Sequence, residues 1–207
     1  MYSITHLYIT KWRPAVNGFI ARLIYGSKVK FGNNFRTDSI PRIIVDEDAT
    51  LVIGNNVEFK RNIELRVHGN STTVIGNNVR LDRGIRILSA NKARITIGDG
   101  TRIGLYSVLN GGDSITIGQK VLISGFVYLQ TSMHGFKDRS VGVQDQGYDH
   151  APVQLEDDVW LGTHVVVMPG CVLGKGAVSG SNAVITRSVD AYNVVAGIPA
   201  KPLKERN

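Results

Sequence analysis

An apolar residue returns every six positions through most of this chain, and the return is tied to glycine. Ile53, Phe59 and Leu65 form one set, followed by Ile75, Leu81 and Ile87, by Ile97, Ile103 and Leu109, and by Ile117, Ile123 and Leu129. After an interruption the series resumes as Leu155, Leu161, Val167 and Leu173. Gly54, Gly76, Gly98 and Gly118 each follow the first member of a set, and the last of their intervals is slightly shorter than the two before it. A period of six matches neither the 3.6-residue helix nor the two-residue strand alternation. It suits a solenoid whose short strands each contribute one inward side chain before the chain turns a corner. Three sixes make one triangular coil, and the extra residues of the longer coils are expected as a small bulge at one corner.

A solenoid needs no globular core, because each coil buries its inward residues against the next, so 207 residues suffice for one such domain. The 23 glycines are expected at corners that require φ > 0. No run of about 20 apolar residues marks a membrane span, and no charged, apolar and small-residue series marks a signal peptide. Cys171 is the only cysteine and has no partner for an internal disulfide. A reducing cytoplasm is therefore the expected compartment, with Cys171 acting as a packed small hydrophobe.

Four zones follow along the chain. Residues 1–28 read as a helical cap, with Pro14 placed for a first turn and Phe19, Ile20, Leu23 and Ile24 on one side before Gly26. That apolar side is expected to cover the open end of the solenoid. Residues 29–188 are the coils, interrupted by a polar, glycine-bearing loop at 131–152, and 189–207 form a tail. The net charge of +7 is uneven: residues 1–37 hold Lys11, Arg13, Arg22, Lys28, Lys30 and Arg36 but no Asp or Glu. A solvated face accounts for such charge. The sharper alternative is peripheral contact with an anionic membrane or glycan. Nucleic acid is disfavoured, because no recognition helix or aromatic stacking motif accompanies the charge.

The stretch Pro152-Val153-Gln154-Leu155-Glu156-Asp157-Asp158-Val159-Trp160-Leu161-Gly162 resembles the signature of the hexapeptide-repeat acyltransferases. Pro169-Gly170-Cys171-Val172-Leu173-Gly174 and Ala196-Gly197-Ile198-Pro199-Ala200-Lys201 are similar to later segments of the same pattern. The branch resembled contains galactoside, maltose and polysaccharide O-acetyltransferases. The resemblance implies an all-β fold, a left-handed parallel β-helix, assembly as a homotrimer, and acetyl-CoA as donor in grooves between subunits, without metal. Two positions depart from the pattern: Glu156 stands where most members have Gly, and Ser179-Gly180-Ser181-Asn182 replaces a more typical Ile-Gly-Ala-Gly.

Transfer of an acetyl group to a hydroxyl needs a base near neutral pH, and His is the usual choice. Of His6, His68, His134, His150 and His164, His134 opens the extruded loop upstream of Trp160, where the resembled enzymes carry their base. His150 is expected as a loop or subunit contact on the acceptor side, and His164 as structural. By resemblance, Trp160 walls the acceptor and the pantetheine arm, and the Thr163 N–H faces the thioester oxygen. Ser181 and Thr186 fall where the family touches the coenzyme arm, and Lys201 and Lys204 where it meets phosphates. Asn110 and Asp113, one coil from His134, are candidate acceptor contacts.

The expected acceptor is a sugar hydroxyl of a cell-surface polysaccharide or its precursor, with an amino sugar or a xenobiotic hydroxyl as alternatives. A zinc carbonic anhydrase on the same fold would need a close pair of histidines plus a third two coils away. His134, His150 and His164 are widely and almost evenly spaced, so none of them form such a pair. A non-enzymatic solenoid explains the repeat but not the loop histidine, the tryptophan signature and the basic tail together.

Overall fold

The computed structural model describes residue 5 and residues 12–206. Its body is a parallel β-helix with three sheets running along its length. The first sheet begins at Val29–Phe31, the second at Arg36–Thr37 and the third at Arg42–Val45, and each successive coil adds one strand to each. Parallel pairing carries the sequence period directly into space: Thr50, Leu51, Val52 and Ile53 sit beside Thr72, Thr73, Val74 and Ile75. The six-residue beat is the interior. Ile53, Phe59, Leu65, Leu81, Leu109, Leu129, Leu155, Leu161, Val167 and Leu173 are all fully buried. Cys171 is buried among them, and desolvation raises its thiol pKa.

The longer coils are not bulged; they are wider. Thr50–Ile53 and Glu64–Val67 are four-residue strands, each burying two side chains, Leu51 with Ile53 and Leu65 with Val67. In the late coils Val166–Val167 and Val172–Leu173 are two-residue strands that bury one apiece. The extra residues therefore lengthen the two sheets that meet at one corner, and the solenoid tapers from its N-terminal to its C-terminal end. In the widened section the buried hydroxyls of Thr73 and Ser89 satisfy one another at 2.9 Å.

The marker glycines have a different physical cause from the one expected. Gly54, Gly76, Gly98 and Gly118 do not adopt positive φ. A Cβ on Gly54 would lie 2.6 Å from the Gly76 carbonyl oxygen, and one on Gly98 would lie 2.4 Å from that of Gly118. They are glycine because adjacent coils touch backbone to backbone. Positive φ falls two residues later, on Asn56, Asn78, Gly100 and Lys120, and asparagine and glycine tolerate it better than most residues. The neighbouring asparagines bind the coils together: Asn55 Oδ1 accepts from Asn33 N at 2.7 Å, and Asn77 Oδ1 accepts from Asn55 N at 2.9 Å. Asp99 continues this ladder, accepting from the Asn77 backbone and side chain, and these bonds lower its pKa. Gly98→Ala is expected to destabilise the fold by about 2 kcal/mol, an overpacking cost against fixed backbone. Gly69→Asn, where a Cβ meets nothing within 4 Å and φ is +55°, should stay within about 0.5 kcal/mol. Denaturant unfolding of the two variants would separate close approach from backbone conformation.

The first coil has no earlier coil to accept hydrogen bonds from, so its outward carbonyls need other donors. The helix Arg13–Tyr25 supplies them. Asn17 Nδ2 donates to Asp38 O at 2.9 Å and the Tyr25 hydroxyl to Pro41 O at 2.9 Å, while Arg22 donates to Gly32 O. Just beyond the helix, Lys28 Nζ donates to Val45 O at 3.4 Å. The helix lies close because Pro14, Gly18 and Ala21 form its buried side, and a Cβ on Gly18 would stand 2.2 Å from Phe35 O. The expectation that Phe19, Ile20, Leu23 and Ile24 cover the coil is overturned: all four are exposed. A polar edge needs donors and small residues on its cap, so the apolar side turns outward. No helix among the described residues is long and apolar enough to cross a membrane.

At the other end, Asn193–Ala196 joins the second sheet and Lys201–Glu205 returns antiparallel beside it. The interruption at 131–152 projects as a hairpin, Ser132–His134 paired with Tyr148–His150.

Candidate active site

His134 occupies the last position of the first hairpin strand, opposite Tyr148, with its ring 4.1 Å from the tyrosine ring. The hairpin springs from the corner between the third and first sheets, after Tyr128–Gln130 and before Val153–Leu155. His150 stands at the hairpin base, where its Nδ1 meets Ser132 Oγ at 2.8 Å. A Cβ on Gly112 would lie 2.1 Å from that Ser132 Oγ and 3.2 Å from the His150 ring. His150 is thus held in place by packing and one hydrogen bond, while His134 projects beyond it, exposed.

Asn110 and Asp113 belong to this same corner. Asn110 pairs in register with Gln130 and donates from Nδ2 to the Tyr128 hydroxyl at 3.1 Å. Gln130 Nε2 donates to Ser132 O at 2.7 Å, tying the sheet surface to the hairpin. Asp113 is engaged locally: its N–H donates to Thr131 Oγ1 at 3.0 Å, and its carboxylate accepts from Ser114 N at 2.6 Å.

The other predicted residues lie elsewhere. Trp160 stands on the outer surface of the second sheet, 47% exposed, with Nε1 reaching Ser124 Oγ at 3.4 Å. It lines a groove of about 600 Å³ with Leu122, Val178, Val194, Lys120 and Lys204. Thr163 and Ser181 occupy successive coils at the corner between the second and third sheets. Asn182 N donates to Thr163 O at 2.8 Å, and Thr163 Oγ1 donates to Gly125 O at 2.8 Å. Among the described residues, neither the Thr163 nor the Ser181 amide has a protein acceptor. Thr186 and Lys201 line a second groove of about 450 Å³ near the C-terminal end, together with Arg187, Asn193 and Pro199. The coenzyme set read from the sequence is therefore divided between two grooves and a corner.

The topology keeps His134 and these amides apart. Within a single chain, His134 and the pair Thr163–Ser181 sit at opposite edges of the third sheet. That sheet is up to four residues wide, or roughly 13 Å at strand rise. His164 also belongs to the Thr163 corner, so it does not converge with His134 and His150.

Three features of the site escape a reading of the sequence. Tyr148 backs the His134 ring, but a three-residue strand inside a polar loop carries too little alternation to be seen. Arg206, whose guanidinium pairs with Asp158 Oδ2 at 2.9 Å, closes the Trp160 groove beside Lys204. The third is an aromatic file at the Thr163 corner. Tyr106, Phe126 and His164 all adopt positive φ, with Tyr106 5.6 Å from Phe126 and Phe126 4.7 Å from His164. Arg83 caps the file 5.9 Å from the Tyr106 ring. Their spacing, one residue per coil at an equivalent corner, was the available signal. The structural role expected of His164 agrees with this stacking.

No family model matches the chain. It is 30% identical over 95 residues to galactoside O-acetyltransferase of Escherichia coli, covering 45% of each protein. The chain spans about half or less of the length of the curated relatives it matches. Among solved structures, an N-acyltransferase of Bacillus cereus in complex with dTDP-4-amino-4,6-dideoxyglucose and coenzyme A superposes with a TM-score of 0.65. The superposition covers 90% of this chain and 89% of that one at 19% identity, a likeness of fold. The left-handed β-helix implied by the resemblance is supported by these likenesses. A hexapeptide-repeat-containing acetyltransferase of Vibrio cholerae is 30% identical, with 59% of this chain and 71% of that chain covered and a TM-score of 0.51. The glycine-marked beat, the tryptophan signature and the stacked three-sided coils thus have one common explanation: this chain belongs to the hexapeptide-repeat acetyltransferases.

Proposed function

We propose that the protein transfers an acetyl group from acetyl-CoA to a sugar hydroxyl, in a site completed between neighbouring copies of the chain. The observation that carries this reading is the division of the site. A projecting histidine stands at one edge of the third sheet, and two unpaired amides stand at the other. A neighbouring chain that brings its His134 hairpin against the Thr163 corner unites them, and a closed ring of three satisfies every chain alike.

The residues present suit the donor. The Trp160 groove combines an apolar wall with Lys120 and Lys204, which match a pantetheine arm and phosphates. Acetyl-CoA supplies the acyl group as a thioester. His134 takes the proton from the attacking hydroxyl, and the Thr163 N–H donates to the carbonyl oxygen as charge develops there. The imidazolium then returns its proton to the leaving sulfur, so the products are the acetylated sugar and free coenzyme thiol. Asn110 and Gln130, on the sheet surface at the hairpin base, are the groups we assign to acceptor hydroxyls.

The galactoside O-acetyltransferase likeness supports a sugar acceptor, and the basic surface suits glycans of the cell envelope or their precursors. The expected result is thiol release from acetyl-CoA in the presence of a hydroxyl sugar, by a species that sediments as a trimer. Release with an amino sugar alone would move the assignment to N-acetylation. A monomer fully active at nanomolar concentration would overturn the shared site.

A further inference from the structure

The helix Arg13–Tyr25 has two faces of opposite character. Pro14, Gly18 and Ala21 form the face against the first coil. On the other side, Trp12, Val16, Phe19, Ile20, Leu23 and Ile24 form a continuous apolar strip with spacings of three and four residues. They are not incidentally accessible: Trp12 is 58% exposed, Phe19 62% and Leu23 71%. Five large apolar side chains on one side of a 13-residue helix, with Trp12 at its N-cap, make a contiguous apolar surface, which normally marks an interaction site.

The strip also lies at the end of the solenoid and faces away from the coils, because the opposite side of the helix is the one that caps them. It is therefore remote from the His134 hairpin and the Thr163 corner. Its surroundings are cationic. Residues 1–37 contain no Asp or Glu. Arg22 and Lys28 are engaged with Gly32 O and Val45 O, Arg13 is half-buried with its Nε enclosed, and Lys30 is exposed on the first coil. The exposed acids of this coil, Asp46, Glu47 and Asp48, gather at the corner beyond the C-terminal end of the helix, where Lys28 and His68 face Asp46.

We propose that this helix is an interfacial anchor that lays its apolar strip into an anionic bilayer, with the solenoid standing off the surface. A short helix with Trp, Phe and Leu on one side and cations at its margins has the composition that seats at the headgroup and acyl boundary. The charge selects the surface. Each cation brought near an anionic leaflet strengthens partitioning about fivefold, and the effect decays within a Debye length of about 8 Å at physiological salt. The acid-free segment carries no side-chain charge that an anionic leaflet would repel. The proposal is independent of the acetyl-transfer reading, since it uses none of the same residues.

The test is co-sedimentation with vesicles of phosphatidylcholine alone and of phosphatidylcholine mixed equally with phosphatidylglycerol, across a salt series. The expected result is binding to the anionic vesicles, weakening as salt rises. The F19E/L23E double variant is expected to lose at least about tenfold in binding. Lys30→Gln is expected to lose several-fold on anionic vesicles only. Both variants should keep the parent's melting temperature, because the altered side chains lie outside the core, and its sedimentation coefficient. Failure of the parent to bind anionic vesicles, or unchanged binding by F19E/L23E, would overturn the proposal. A parent that dissociates into smaller species when Phe19 and Leu23 are replaced would also overturn it, and would assign the strip to a second copy of the chain.

Discussion

His134→Ala is expected to lower acetyl transfer by at least about a hundredfold while leaving the coils, the melting temperature and the assembly unchanged. The magnitude is that of losing a positioned general base. The structure makes the test clean, because His134 projects from an exposed hairpin, touches Tyr148 through its ring and carries none of the core. His150→Ala is the informative companion. It removes the bond to Ser132 Oγ at 2.8 Å that braces the hairpin base, so it should reduce kcat several-fold without abolishing it. If His150→Ala eliminates turnover and His134→Ala leaves it within a few-fold, the base has been misassigned.

The second large effect is expected from Thr163→Pro, with a loss of about 100- to 1000-fold in kcat, the range for removing one oxyanion donor. The substitution is unusually selective here. Of the two corner residues only His164 has positive φ, at 58°, which is the pattern of a type II turn, where proline is favoured at the Thr163 position. Proline therefore fits the turn and deletes the amide proton. Thr163→Ala also loses the hydroxyl bond to Gly125 O but keeps the amide, and should stay within a few-fold. Because the proposed site joins two chains, co-refolding the inactive His134→Ala and Thr163→Pro proteins should restore part of the activity. Restoration would require an intact hairpin from one chain to meet an intact corner from another. No recovery from properly assembled mixtures would place both residues in one chain's site.

The interior of this fold was legible because burial in a stacked coil is a local rule repeated many times. Ile53, Phe59 and Leu65 announce a three-sided coil, and the parallel register makes every later coil repeat the inference. What the period did not carry was the reason for each residue beside the beat. Gly54 and Gly98 read as turn formers, yet the contact that demands them comes from a backbone a whole coil away in sequence. The helix failed in a related way. Its apolar stripe was visible, but which side packs was decided by the unpaired carbonyls of Gly32, Asp38 and Pro41, which require donors and a close approach. An apolar pattern alone contains no information about orphan acceptors. Within the candidate site, the projection of His134 from the coils was legible from its place at the loop opening, whereas Tyr148 was hidden in a strand too short to alternate. The separation of His134 from Thr163 could not be read from spacing at all, because it depends on which corner of the triangle each residue reaches.

The stacked coils also act as a ruler. From Thr37 on the first coil to Leu161 beside the Thr163 corner, the second sheet climbs through Phe59, Leu81, Ile103 and Ile123 in turn. At about 4.8 Å per step, the Thr163 corner stands roughly 24 Å from the coil that carries the N-terminal helix. Each coil contacts only its neighbours, so the gain or loss of one coil changes that height by a single step and leaves the chemistry above it intact. Distance from the N-terminal helix is in this way separated from the proposed chemistry: one is written in the number of repeats, the other in the two corners that a neighbouring chain would bring together.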